Sequence, residues 1–179
     1  DLVGIPWMVA FALRADGWYL RSDIIWAKGY SFHPTTAGSC MPESVTDRPT
    51  RGHEYLFLLT KSPRYYYDAE AVKEPQAEST LRGFASGRDR IPIGPKGIDW
   101  NANAGRATGR KAIIGGRNLR SVWLINPEPF SGAHFATFPE ALVEPCIRAG
   151  SRCGDLVLDP FIGSGTTVRV ARRLNRRGI

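Results

Sequence analysis

Nine consecutive residues near the carboxyl end carry the densest chemical information: Asp159-Pro160-Phe161-Ile162-Gly163-Ser164-Gly165-Thr166-Thr167. Two glycines let the backbone approach a ligand without a Cβ in the way. The start of a helix following the turn would offer its first free N–H groups to whatever lies over the loop. An acidic side chain ahead of the turn can accept from a ligand ammonium or hydroxyl. The bland alternative is a tight strand–helix turn. The string is not a phosphate-binding P-loop, because no Lys follows Gly165. It is not the G-x-G-x-x-G dinucleotide fingerprint, because Val168 stands where the third glycine is needed.

Such a turn needs a strand before it and a helix after it. Residues 155–159 predict the strand. Residues 164–176 predict the helix, with Thr167, Val170, Ala171 and Leu174 on one face. Arg169, Arg172, Arg173 and Arg176 fall on the other, read as a solvated face. Upstream, residues 138–149 read as a helix, with Thr137-x-x-Glu140 as a capping box and Gly150 as the stop. Pro145 predicts a kink or break inside it. Toward the front, residues 5–15 predict a helix with Pro6 in its first turn, and residues 18–27 a strand centred on Ile24-Ile25-Trp26. The apolar run 54–60 predicts a strand buried on both faces, as in an α/β sheet. Residues 64–68 and 121–125 are short strand candidates, and residues 29–53 a loop. This order argues an α/β fold with a mostly parallel, doubly wound sheet.

The chain has 179 residues and is 42% hydrophobic, enough for one or two folded domains. Three cysteines, at 40, 146 and 153, exclude a disulfide framework and a Cys-rich zinc module. Cys146 and Cys153 read as small buried apolar residues. His33, His53 and His134 lack metal-ligand spacing, so no metal is expected. His53, beside Glu54, reads as a packing group rather than a base. No apolar run reaches the ~20 residues of a membrane span, and a cytoplasmic protein is expected. Lys and Arg number 24 against 17 Asp and Glu, a net charge of +7. The segment 82–120 alone holds nine cations against Asp89 and Asp99, which is the whole surplus. It also holds eight glycines and cannot form a core of its own. It is either a solvated insertion or a surface facing a polyanion, and composition leaves both open. Tyr65-Tyr66-Tyr67 could stack on bases, but half-buried strand positions are the simpler reading.

The string D-P-F-x-G-S-G-T-T resembles the cofactor motif of DNA amino-methyltransferases, which use S-adenosylmethionine. The upstream run His134-Phe135-Ala136-Thr137-Phe138-Pro139-Glu140-x-Leu142 resembles the F-P-x-x-L helix of that family's circularly permuted branch. Gly17-Trp18 through Trp26-Ala27-Lys28, then Gly52-His53-Glu54-Tyr55, resemble its catalytic half, so only residues 70–120 match poorly. The resemblance implies a Rossmann-like methyltransferase sheet, incomplete, with a basic insertion. It implies that Ala136, Thr137, Phe138, Pro139, Asp159, Pro160, Phe161, Gly163, Ser164, Gly165, Thr166 and Thr167 hold S-adenosylmethionine. The two groups are expected to line one cavity. Double-stranded DNA is the implied partner, touched by Arg82, Arg88, Arg90, Lys96, Arg106, Arg110, Lys111 and Arg117. Residues 1–70 would be part of the catalytic half, 71–120 the insertion and possible target-recognition region, and 121–179 the cofactor half.

The sequence departs from the family at one place. The family grips the target amine with a [DSN]-P-P-[YFW] loop, and this sequence has no Pro-Pro. The permuted order implies that loop ahead of Asp1, and the acidic ribose-binding residue just past Ile179, as in an internal fragment. Asn126-Pro127-Glu128-Pro129-Phe130 echoes the loop, but Glu128 splits the prolines and a bend is expected there. No catalytic residue is assigned. The expected activity is methyl transfer to adenine N6 or cytosine N4 in DNA. A non-catalytic nucleic-acid-binding module with a vestigial cofactor pocket is the alternative, and an RNA methyltransferase a third.

Overall fold

The computed structural model describes residues 2–32, 38–78, 82, 116–129 and 137–179. The chain divides into two compact units, Asp1–Asp68 with Arg120–Ile179, and Ala69–Leu119.

The first unit opens with α1 (Ile5–Ala15), where Pro6 occupies the first turn. Its inward residue Trp7 packs edge-on against Tyr55 and Phe57, with centroids 5.7 and 5.0 Å apart. β1 (Tyr19–Ala27) and β2 (His53–Thr60) pair antiparallel from Tyr19↔Thr60 to Ala27↔His53, with an irregularity between Leu20 and Ser22. β3 (Val122–Leu124) lies parallel on the other side of β1, giving the order β2-β1-β3. The Trp26 indole N–H donates to the Ile125 carbonyl at 2.8 Å and anchors the chain leaving β3.

Downstream come α2 (Glu140–Gly150), β4 (Leu156–Val157), α3 (Thr166–Arg173) and β5 (Arg177–Gly178). β4 and β5 are parallel, and α3 crosses between them. The core here is Val143 and Ile147 of α2 against Val170 and Ala171 of α3 and Leu174, with Val157 beneath. Val170 and Ala171 are wholly buried, each removing apolar area from water at roughly 25 cal/mol per Å². Gly178 passes so close to α3 that a Cβ on it would sit 2.9 Å from the Val168 Cα.

Four expectations change. β2 exists, but among the described residues it is a half-buried strand at the antiparallel edge of its sheet rather than one buried on both faces. A continuous apolar run fits either position, since α1 covers one face here. Residues 64–68 form no strand. The Asp68 N–H goes to the Ala149 carbonyl at 2.9 Å, and Arg21 and Arg152 take the faces of Tyr65 and Tyr66, so no ladder is made. The capping box does not form: Pro139 precedes α2 without a side-chain cap, and Glu140 turns toward α3. Pro145 does not break α2, which runs unbroken to Gly150. Pro145 has no N–H to donate, but the packing of Leu142, Val143 and Ile147 holds the helix together around it.

In the second unit, a short turn of helix, Glu70–Val72, is followed by an antiparallel bridge between Glu74 and Arg117.

Candidate functional site

The loop between β4 and α3 is built almost entirely by its own backbone. Ile162, Gly163 and Gly165 hold positive φ of 41, 53 and 77°. Gly165 therefore enters α3 from the left-handed region at no steric cost, whereas Ile162 is strained there. The Asp159 carboxylate holds the turn: its Oδ1 accepts from the Phe161 N–H at 3.2 Å and the Ile162 N–H at 3.0 Å. Gly165 N–H donates to Ile162 O at 2.8 Å, and Ser164 and Thr166 share a hydroxyl–hydroxyl bond of 3.0 Å. Thr166 is buried, while Pro160, Phe161, Ile162 and Gly163 face outward. A Cβ built on Gly163 or Gly165 meets nothing within 4 Å, so open space lies directly over this backbone. A bare backbone at a helix start, with a carboxylate and two hydroxyls beside it, fits an adenosyl amino acid such as S-adenosylmethionine.

The start of α2 supplies the neighbouring wall. Phe138 is partly exposed and Pro139 buried, and Thr137 is half-buried. Phe138 and Thr167 line a shared cavity of about 550 Å³. Asp159, Phe161, Gly163, Gly165 and Thr166 do not line it, so it is not the single enclosure expected from the sequence. Its wall is apolar and draws on Tyr55 and Leu56 of β2, Leu142 and Ile147 of α2, and Leu156 and Val157 of β4. The glycine loop is instead exposed to solvent from Pro160 to Gly163. Ala136 lies outside the described residues.

Cys146 also faces the cavity. Its thiol donates to the Leu142 carbonyl at 3.4 Å, and burial among apolar groups pushes it up to about 11. Cys146 and Cys153 both keep exposed surface, against the expectation that they are buried. His53 packs its ring against Tyr55 at 5.2 Å, as a structural group would. Asn126 to Pro129 are exposed beyond β3.

No sequence pattern signals the charge network across the α2–α3 junction. The Glu140 carboxylate accepts from Arg169 Nε at 2.5 Å and from Arg173, and Arg173 also reaches Glu144 at 2.8 Å. The Arg169 hydrogen bond, with both guanidinium charges, holds the Glu140 carboxyl below the usual carboxylate range. The arginine face of α3 is therefore partly engaged rather than simply solvated. No spacing rule links residues 29 apart, so only the fold reveals the pair.

Of the predicted DNA contacts, Arg82 pairs with Glu78 at 3.1 Å and Arg117 with Glu74 at 2.7 Å. Arg88, Arg90, Lys96, Arg106, Arg110 and Lys111 lie outside the described residues. Among the described residues no cluster of metal-ligating side chains occurs, and no helix is long and apolar enough to cross a membrane.

Comparison with known proteins places the chain in a family. The DNA methylase family model matches residues 4–179, and the chain belongs to that family. It is 48% identical to Type II methyltransferase M.Cfr9I of Citrobacter freundii, over 99% of this chain and 44% of that protein. It is 46% identical to Type II methyltransferase M.SmaI of Serratia marcescens, over 98% of this chain and 46% of that protein. The chain thus spans about half the length of these curated relatives. Among solved structures, the M1.HpyAVI–SAM complex aligns with a TM-score of 0.54 at 20% identity, covering all of this chain and 63% of that one. TTHA0409 of Thermus thermophilus, described as a putative DNA modification methylase and complexed with S-adenosyl-L-methionine, aligns at a TM-score of 0.51 and 24% identity, covering 98% of this chain and 52% of that one. The fold is that of these methyltransferases, an open α/β arrangement present here in part.

Proposed function

We propose that this chain is the cofactor-binding part, with some of the catalytic half, of a DNA amino-methyltransferase acting on adenine N6 or cytosine N4. The observation that carries this reading is the bare-backbone glycine loop beside the Phe138–Pro139 helix start, in a chain that matches the DNA methylase family almost end to end. S-adenosylmethionine, when bound, supplies an electrophilic methyl group that needs no metal. The residues of this chain bind and orient. The backbone at 163–165 and the first N–H groups of α3 receive the cofactor, and Asp159 keeps that loop in shape. Phe138 and Pro139 close the adjacent side. The target amine has to leave the base stack to reach the methyl group. Gripping it is the work of a Pro-Pro loop, and this sequence contains none.

The basic segment 82–120 is the proposed contact to the phosphates of double-stranded DNA. Arg82 and Arg117 are already paired with glutamates, so phosphate contact by either exchanges one anion for another. A modification enzyme working on DNA in the cytoplasm fits this reading.

The test is incorporation of labelled methyl into duplex DNA by the full-length protein, with the product base identified after hydrolysis. N6-methyladenine or N4-methylcytosine is expected. Residues 1–179 alone should transfer little, since proximity of amine and methyl is much of the catalysis. DNA binding without methyl transfer by the full-length protein would favour a non-catalytic module instead.

A further inference from the structure

Glu140 is the first residue of α2 and follows Phe138-Pro139 directly, on one side of the proposed cofactor site. Arg169 stands one turn into α3, its N–H bonded to the Gly165 carbonyl at 2.9 Å, on the other side. The Glu140 carboxylate joins the two: one oxygen takes Arg169 Nε at 2.5 Å, the other takes Arg173. Glu144, one turn along α2, takes the second nitrogen of Arg173 at 2.8 Å and Arg148 Nε at 2.8 Å. The apolar contact of Val143 and Ile147 with Val170 and Ala171 already holds these helices together. Apolar contact is non-directional and leaves small slides and rotations open. A carboxylate bonded through both oxygens to two guanidinium groups does not, because charge-assisted bonds have fixed geometry. Exposed pairs such as these add little to stability. Their effect is on register, and the register they fix is that between the two walls of the site.

We infer that Glu140 is a positioning residue for the cofactor: through Arg169 and Arg173 it sets the spacing between Phe138–Pro139 and the glycine loop. The inference rests on the cofactor reading above.

The experiment is calorimetric titration of the full-length protein with S-adenosylmethionine, together with steady-state kinetics and melting curves. Glu140→Gln should weaken binding and raise the KM for S-adenosylmethionine by roughly tenfold, with kcat at saturation nearly unchanged. Arg169→Lys keeps the charge but loses the fork, and should do the same to a smaller degree while melting like the wild type. Combining Glu140→Gln with Arg169→Lys should cost no more than Glu140→Gln alone, because both remove one link. Unchanged affinity in Glu140→Gln beside a binding wild type would overturn this inference alone. So would a fall in melting temperature and kcat that tracks the affinity loss, the mark of a merely structural role. A wild type that does not bind S-adenosylmethionine would overturn the cofactor reading, and this inference with it.

Discussion

Asp159 illustrates how a residue chosen by the sequence for ligand chemistry also serves the backbone. Its Oδ1 accepts from the Phe161 and Ile162 amides, so the loop's shape depends on an acceptor oxygen at this position. Asp159→Asn can still accept these bonds, whereas Asp159→Ala cannot. Cys146 supports a simpler prediction. With its thiol pushed up to about 11, the thiolate fraction at pH 8 is on the order of a thousandth. Peptide mapping after iodoacetamide treatment of the native protein at pH 8 should find Cys146 largely unmodified when Cys40 and Cys153 have reacted. Rapid alkylation of Cys146 would contradict the apolar surroundings of its thiol. Glu140 predicts a pH dependence. Its folded carboxyl is depressed by Arg169 and Arg173, with Glu144 and Arg148 flanking them. A depressed carboxyl stabilises the fold above its unfolded value and stops doing so as pH falls through its folded value. Any stability difference between the wild type and Glu140→Gln should therefore be present at neutral pH and shrink below about pH 4.3, as read by chemical denaturation.

At the scale of elements, β4, the glycine loop and α3 were legible because each signal is local: a short apolar run, two glycines, then a helical period. The ends of these elements were less so, and β4 is only Leu156–Val157. The position of β2 at a sheet edge was not legible, because an apolar run says that a strand is covered and not by what. The Glu140–Arg169 link was not legible either, since it joins residues distant in sequence through the packing of two helices. β5 tests that packing. Gly178→Val would bring a side chain against Val168, whose Cα and Cγ1 lie 2.9 and 3.0 Å from where the new Cβ would stand. The expected loss is about 1–3 kcal/mol by thermal or urea unfolding, the usual effect of overpacking. The basic segment calls for a different measurement. Each phosphate contact contributes about 0.9 to the log–log salt slope on duplex DNA. If about half of its nine cations touch phosphate, changing all nine to Ala should lower the slope by about four. An unchanged slope in the full-length protein would leave the segment as a solvated insertion.

Taken whole, the described residues of the first unit form two sheets rather than one. Among them β2 pairs only with β1, and β4 only with β5, while both contribute to the wall of one apolar cavity. The outer side of α1 is also apolar, with Ile5, Met8 and Val9 all more than half exposed. An unpaired strand edge is a row of unmatched backbone donors and acceptors, and natural proteins blunt such edges with charge or cover. The sequence of β2, His53-Glu54-Tyr55-Leu56-Phe57-Leu58-Leu59-Thr60, has one carboxylate and no proline to blunt it. Prepared on its own, the chain should therefore self-associate through this edge. Light scattering of residues 1–179 should show concentration-dependent self-association, and Leu56→Lys should reduce it. For anyone producing this chain, the expected consequence is that its solubility follows the β2 edge more than its +7 charge.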